Sequence, residues 1–239
     1  MAYDHRYVFS FYAASNLNNE ALAYINFHKY RFAFILNQIE DLRKKNRIIS
    51  VLDIGPSYLT NLLHATFGDL NLETLGLNNV LVENREILHY QQDLNFIGNA
   101  NDLPEKKYDL VIFAEVIEHL YTDPAIILKG IHQLIKPGGF LFLQTPNAVS
   151  VDKRFKMLIG RNPYQFIIPN RQNHFREYTT RELKSYLNDS GFELQKYFYS
   201  NYFNPDTSFS HRIFRLSGPL LPPSWRDGIS MLARAQSFD

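Results

Sequence analysis

The chain contains no cysteine, which excludes disulfides, thiolate metal sites and cysteine nucleophiles together. Charge of one sign is also lacking: 25 Lys and Arg stand against 24 Asp and Glu, for a net +1. A nucleic-acid surface is therefore not built into the composition, and any such patch has to be local. No apolar run approaches the roughly 20 residues needed to cross a bilayer. The opening Met1-Ala2-Tyr3-Asp4-His5-Arg6 is polar and aromatic, unlike the basic-then-apolar pattern of a signal peptide. No internal repeat is visible. These absences leave a soluble, cytoplasmic protein as the expectation.

What is present is apolar and aromatic. With 45% hydrophobic residues among 239, the chain can bury one substantial core. Tyr and Phe dominate the 15% aromatic content and cluster at the two ends and after residue 150.

The organising stretch is Ile48-Ile49-Ser50-Val51-Leu52-Asp53-Ile54-Gly55-Pro56-Ser57. A β-branched run ends in a Gly/Pro/Ser turn, after which Leu59, Leu62, Leu63 and Phe67 recur at helical spacing. Strand, tight loop and helix in this order open a doubly wound sheet. A glycine there lets the backbone approach a ligand, and the next helix presents free N–H groups. A cofactor site and an ordinary βα turn both remain open at this point.

In chain order, residues 1–18 read as irregular. Asn18 or Asn19 caps a long helix to about Lys45, carrying Leu22, Ile25, Phe32, Ile35, Leu36, Ile39 and Leu42. Strand two is Leu72–Leu77, and a third run lies near Ile87–Gln91, closed by Asp93-Leu94-Asn95. The gap between them is too short for a packed crossover helix, so this unit is trimmed. Tyr108–Phe113 is a buried fourth strand, and Glu115–Leu120 opens the next helix. Asp123-Pro124 starts another, ending at Lys136-Pro137-Gly138-Gly139. Phe140–Thr145 is strand five. Residues 148–178 break the alternation. A helix over Arg181–Asn188, a strand over Phe192–Tyr199 and a last short strand at Ile229–Ala233 close the chain.

Four landmarks carry a resemblance: VLDIG (51–55), YDLVIFAEVIEHL (108–120), LKGIHQLIKPGGFLFLQTPN (128–147) and REYTTRELKSYLNDSGF (176–192). In order and spacing they resemble class I S-adenosylmethionine-dependent methyltransferases, most of all bacterial ones of glycan and natural-product pathways. The resemblance implies an α/β, three-layer, Rossmann-like sheet of seven strands whose last strand is antiparallel and inserted beside strand six. It implies one domain over 1–239, with a helical cap at 1–47, a substrate-covering insertion at 148–178, and a return carrying the last strand at 200–239. By position it implies Asp53, Gly55, Ser57, Asn78, Asp93, Leu94 and Glu115 as cofactor-binding residues.

Two departures stand out. The family's G-x-G loop reads Gly55-Pro56-Ser57, and proline removes one N–H. The acid that usually holds the ribose is replaced by Asn78, which bonds a hydroxyl without charge assistance. They motivate a contrary reading, a non-catalytic binding or scaffold member of the fold.

The chemistry is expected around Glu115, Glu118 and His119. Their i, i+3, i+4 spacing puts them on one helix face if the helix begins at Glu115. Two carboxylates and an imidazole suit a divalent ion, and His174 is the candidate fourth ligand. E-x-x-E-H with a later histidine resembles metal-dependent small-RNA 2′-O-methyltransferases, and a similar motif occurs in O-methyltransferases of ubiquinone biosynthesis. Three readings stay open: a metal site, His119 or His174 as general base, and a structural role.

The insertion sets Lys153, Arg154, Lys156, Arg161, Arg171 and Arg176 against Asp152 and Glu177, interleaved with Phe155, Tyr164, Phe166 and Phe175. It suits an anionic acceptor such as a sugar nucleotide, a lipid-linked glycan or RNA. The segment 200–226, with Tyr202, Phe203, Phe209, Phe214 and Trp225, packs beside it or touches a membrane surface. The expected activity is O-methylation of a sugar-containing or other small-molecule acceptor, with RNA 2′-O-methylation as the alternative.

Overall fold

The computed structural model describes residues 2–13, 15, 17–82, 86–99, 103–167, 173–201 and 221–237. Arg171, Tyr202, Phe203, Phe209 and Phe214, singled out above, lie outside the described residues.

Seven strands form one sheet: β1 (Ser50–Ile54), β2 (Asn71–Gly76), β3 (His89–Gln91), β4 (Tyr108–Ala114), β5 (Ile135–Pro146), β6 (Phe192–Ser200) and β7 (Gly228–Ala235). Their order is β3-β2-β1-β4-β5-β7-β6. The first five run parallel, and β7 is antiparallel to both its neighbours. The chain reverses direction across the sheet between β1 and β4. In an open α/β sheet the crevice beyond the carboxyl ends of such strands is where ligands bind.

Side-chain alternation builds the layers. Val51, Leu110, Ile112, Phe140 and Phe142 face one apolar core, shared with helices α1 (His5–Ala13), α2 (Asn19–Arg43) and α3 (Tyr58–Thr66). Leu52, Ile54, Val111, Phe113, Leu141 and Leu143 face the other, shared with α4 (Pro124–Gln133) and, past a short α5 (Val151–Leu158), with α6 (Thr180–Asp189). Asp53 has the parity of Val51 and so points toward α3.

The structure corrects two expectations. Residues 1–18 are not all irregular, because α1 lies within them. The Asp4 carboxylate accepts the backbone N–H groups of Arg6 and Tyr7 at 2.9 Å each, capping the helix, and Val8 and Tyr12 are fully buried. Nor does a helix begin at Glu115. The segment after β4 is a 3₁₀ turn over Ile117–His119. Between β2 and β3 no helix occurs among the described residues; Val82 and Ile87 bury there instead, and Asn61 Nδ2 donates to the Leu81 carbonyl at 2.9 Å.

Candidate active site

The loop after β1 is held by local bonds. Gly55 has φ +79°, and a Cβ there would sit 2.5 Å from Val116 Cγ2, so only glycine fits. The N–H of Gly55 donates to the Leu75 carbonyl at 2.9 Å. Pro56 leans on Gly76, where an added Cβ would meet Pro56 Cδ at 3.1 Å. Ser57 caps α3 in a reciprocal box with Thr60. Thr60 Oγ1 also donates to Asp53 Oδ2 at 2.6 Å. Asp53 is buried, and burial pushes its carboxyl up to about 7 although the Thr60 bond and the Arg31 charge pull the other way.

Sequence reasoning passed over Arg31. It is 3% exposed, and its guanidinium stacks over Phe32 and donates from Nε to His28 Nδ1 at 3.2 Å. Its charge counteracts the burial of Asp53, Glu115 and Glu118, yet among the described residues it forms no ion pair. A buried guanidinium whose forked donors lack a carboxylate is suited to an anionic ligand group. The signal was available: Arg31, Ile35, Ile39 and Leu42 share one stripe of α2, and a charge on an apolar stripe needs a reason.

Beyond β4 the backbone turns sharply. Glu115 has φ +58°, the one non-glycine residue with positive φ among the described residues. Such strain concentrates at functional sites. It breaks the shared face expected for Glu115, Glu118 and His119. Glu118 is 0% exposed. Its Oε2 accepts Thr145 Oγ1–H at 2.9 Å, while Oε1 is buried with no hydrogen-bond partner. Burial, followed by the nearby Glu115 charge, raises the Glu118 carboxyl well above its ordinary range. Burial raises that of Glu115 too.

The Glu118 carbonyl accepts the N–H groups of Phe175 (2.7 Å) and Arg176 (3.2 Å). This ties the end of the insertion to the turn and brings His174 to His119. Their rings meet edge to face at 4.8 Å. His119 Nδ1 lies 3.3 Å from the Asn173 carbonyl, and its Nε2 is 4.0 Å from Glu118 Oε1. One donor atom each of Glu118, His119 and His174 falls within 4.8 Å of the other two; Glu115 is not in this group. His174 Nδ1 lies 3.1 Å from Glu177 Oε1, and Lys153 pairs with the other Glu177 oxygen. Burial works against the Glu177 charge, but the His174 bond and Lys153 outweigh it and hold that carboxyl below its ordinary range.

The other expected residues do less. Asn78 is exposed beyond β2, and its Oδ1 accepts from Val80 N–H at 3.4 Å. Asp93 spends one oxygen on the backbone and side chain of Asn95 (2.9 and 3.0 Å), and Leu94 is buried. Within the insertion, Lys153 pairs with Glu177, Lys156 with Asp152 and Arg176 with Glu182. Arg154 donates to the Val149 carbonyl and lies over Trp225. Most of the basic residues read as a charge patch are thus neutralised or engaged within the fold.

Residues 27–197 match a family model described as a methyltransferase domain. The chain belongs to that family. That membership implies S-adenosylmethionine as cofactor, and Gly55 and Arg31 would suit such a ligand, the first as a close backbone approach and the second as a buried cation with no ion pair among the described residues. The methyltransferase is 30% identical over 118 residues to a ubiquinone biosynthesis O-methyltransferase of Aeromonas salmonicida, covering 49% of this chain and 48% of that one. It is 32% identical over 97 residues to the protein of the same name from Pseudomonas paraeruginosa, covering 40% of each. The chain thus spans about half or less of the length of the curated relatives it matches.

Its fold is also that of solved structures. A SAM-dependent methyltransferase from Archaeoglobus fulgidus superposes with a TM-score of 0.56 at 17% identity, over 87% of this chain and 96% of that one. One from Mesorhizobium loti gives 0.52 at 16% identity, over 82% and 96%. Among the described residues, no helix of this methyltransferase is long and apolar enough to cross a membrane.

Proposed function

We propose that this methyltransferase moves the methyl group of S-adenosylmethionine to a hydroxyl of a small-molecule acceptor bearing a second oxygen beside it, with a divalent cation held by Glu118, His119 and His174. The observation that carries the reading is the orphaned Glu118 Oε1, fully buried 4.0 Å from His119 Nε2, on a carboxylate that groups with His119 and His174, one ligand atom of each lying within 4.8 Å of the others. A desolvated carboxylate oxygen without a donor is costly, and a cation shared with neutral imidazoles satisfies it. A bound cation supplies Lewis acidity, lowering the pKa of the attacked hydroxyl.

The chain's own residues do the rest. Arg31 suits the carboxylate of the cofactor, Gly55 lets the backbone pass close to it, and Asn78, beyond the end of β2, is the residue proposed for the ribose. Methyl transfer asks mainly for in-line positioning and a deprotonated oxygen. Glu115, outside the trio, shapes the turn that aims Glu118 inward. A sugar diol and a catechol both offer adjacent oxygens; the curated relatives' names favour trying a phenolic acceptor beside the sugar expected from sequence. RNA gains no support from an insertion whose cations are largely paired.

The test is a mass-spectrometric methylation assay with a catechol, a sugar diol, their single-hydroxyl counterparts and an RNA oligonucleotide. Adjacent hydroxyls should be methylated, with activity lost on chelation and restored by an added divalent ion. Equal methylation of single hydroxyls in the presence of chelator would replace the cation with a histidine base. No methylation, together with no binding of S-adenosylhomocysteine, would return the chain to the scaffold reading.

A further inference from the structure

The two histidines of the trio are held differently. His119 directs Nδ1 at a backbone carbonyl, that of Asn173 (3.3 Å). His174 directs Nδ1 at a carboxylate, Glu177 Oε1 (3.1 Å). That carboxylate is itself fixed. The Glu177 side chain is 7% exposed and the Lys153 side chain 12%, and the two are ion-paired. Lys153 Nζ also donates to the Asn147 carbonyl at 2.9 Å, immediately after β5. Glu177 is followed by Tyr178, whose pairing with Asn147 and bond to Ala148 N–H (3.0 Å) dock the segment on the end of β5. The carboxyl end of β5, the lysine, the glutamate and the histidine thus form one connected chain.

We propose that Glu177, held by Lys153, is the positioning residue that keeps His174 in its Nδ1–H tautomer, leaving the Nε2 lone pair for the site. An ionised carboxylate only accepts, so the hydrogen between Glu177 and His174 belongs to the imidazole. With Nδ1 protonated, a neutral ring has its one lone pair at Nε2, the form that binds a cation or takes a proton from a hydroxyl. The Asn173 carbonyl at His119 Nδ1 only accepts, so it calls for an Nδ1–H there as well. Free imidazole in water exchanges between tautomers; here the choice is made before any ligand arrives. The role of Glu177 rests on the proposed use of His174, but the tautomer is a property of the ligand-free protein.

The experiment is long-range ¹H–¹⁵N correlation on ¹⁵N-histidine-labelled full-length protein near pH 8, with His174→Gln to assign the signal. Wild type should show His174 protonated at Nδ1. Glu177→Leu removes the acceptor and should shift the signal toward the Nε2–H or exchanging pattern. Glu177→Asp should restore it in part, and Lys153→Met should weaken it. Amide spectra of each variant check that the sheet is intact. Calorimetry with Mn²⁺ alone should show roughly 10- to 100-fold weaker binding to the Glu177→Leu variant, with S-adenosylhomocysteine affinity unchanged. An Nε2–H tautomer in wild type, or an unmoved tautomer in folded Glu177→Leu, overturns the proposal. If wild type binds no Mn²⁺, the cation reading fails while the tautomer measurement still decides this one.

Discussion

Asp53→Asn should make the ligand-free protein more stable, by a margin that grows as pH rises. The Asp53 carboxyl is enclosed between β1 and α3, and this burial pushes it up to about 7 from the ordinary 3.8. Below pH 3.8 the group is protonated in both folded and unfolded chains, and burial costs nothing extra. As pH rises from there, the unfolded chain ionises first, so stability is lost until the folded group ionises near 7. Above that the full cost applies, about 4 kcal/mol at roughly 1.4 kcal/mol per pH unit. Asparagine escapes this cost but gives back about 1 kcal/mol, because Thr60 then donates to a neutral acceptor. Urea titrations at about pH 5 and pH 8 should therefore show the variant's advantage widening by about 2.5 kcal/mol across that interval. Parallel stability curves would show that Asp53 is not desolvated as the structure places it, and the close seal of α3 over β1 would have to be abandoned.

Gly55→Ala should cost about 1–2 kcal/mol for the left-handed backbone, plus the displacement of Val116, whose Cγ2 lies 2.5 Å from the new Cβ. Adding Val116→Ala should recover the second part, read as a favourable coupling of about 0.5–1.5 kcal/mol in a denaturation cycle; zero coupling denies the contact. Arg31→Met should lower S-adenosylhomocysteine affinity at least about tenfold, the worth of a charged hydrogen bond, by calorimetric titration. A loss of fold in place of affinity would give Arg31 a structural role. Glu118→Gln should abolish divalent binding yet stabilise the chelated protein as pH rises, because burial of the charged form is what opposes folding there. A variant that is destabilised at every pH contradicts the orphaned oxygen.

The order of strands and helices was legible because local rules dictate it. The apolar run ending at Ile54, the Asn18 cap and the Asp123-Pro124 helix start each act within a few residues. Helix α1 escaped because its signals are a single capping aspartate and two buried side chains, Val8 and Tyr12, whose partners are distant in sequence. The spacing of Glu118 and His119 was equally plain in the sequence, and so was His174 as a candidate. What the sequence left open was where His174 lies, since an insertion precedes it and no periodicity measures its path.

Tertiary structure decided that through two backbone bonds from Phe175 and Arg176 to the Glu118 carbonyl. It also overturned the shared helix face, because the φ of +58° at Glu115 turns the chain before any helix forms. Thr145 and Glu177 became visible as site residues only in three dimensions, whereas Arg31 left a signal in the apolar stripe of α2. Their meaning depends on which neighbours are buried with them, and burial is a property of the packed sheet and its layers. The sequence determined by itself which chemical groups were available and which elements carried them; the packing of β4, β5 and the insertion chose which groups meet.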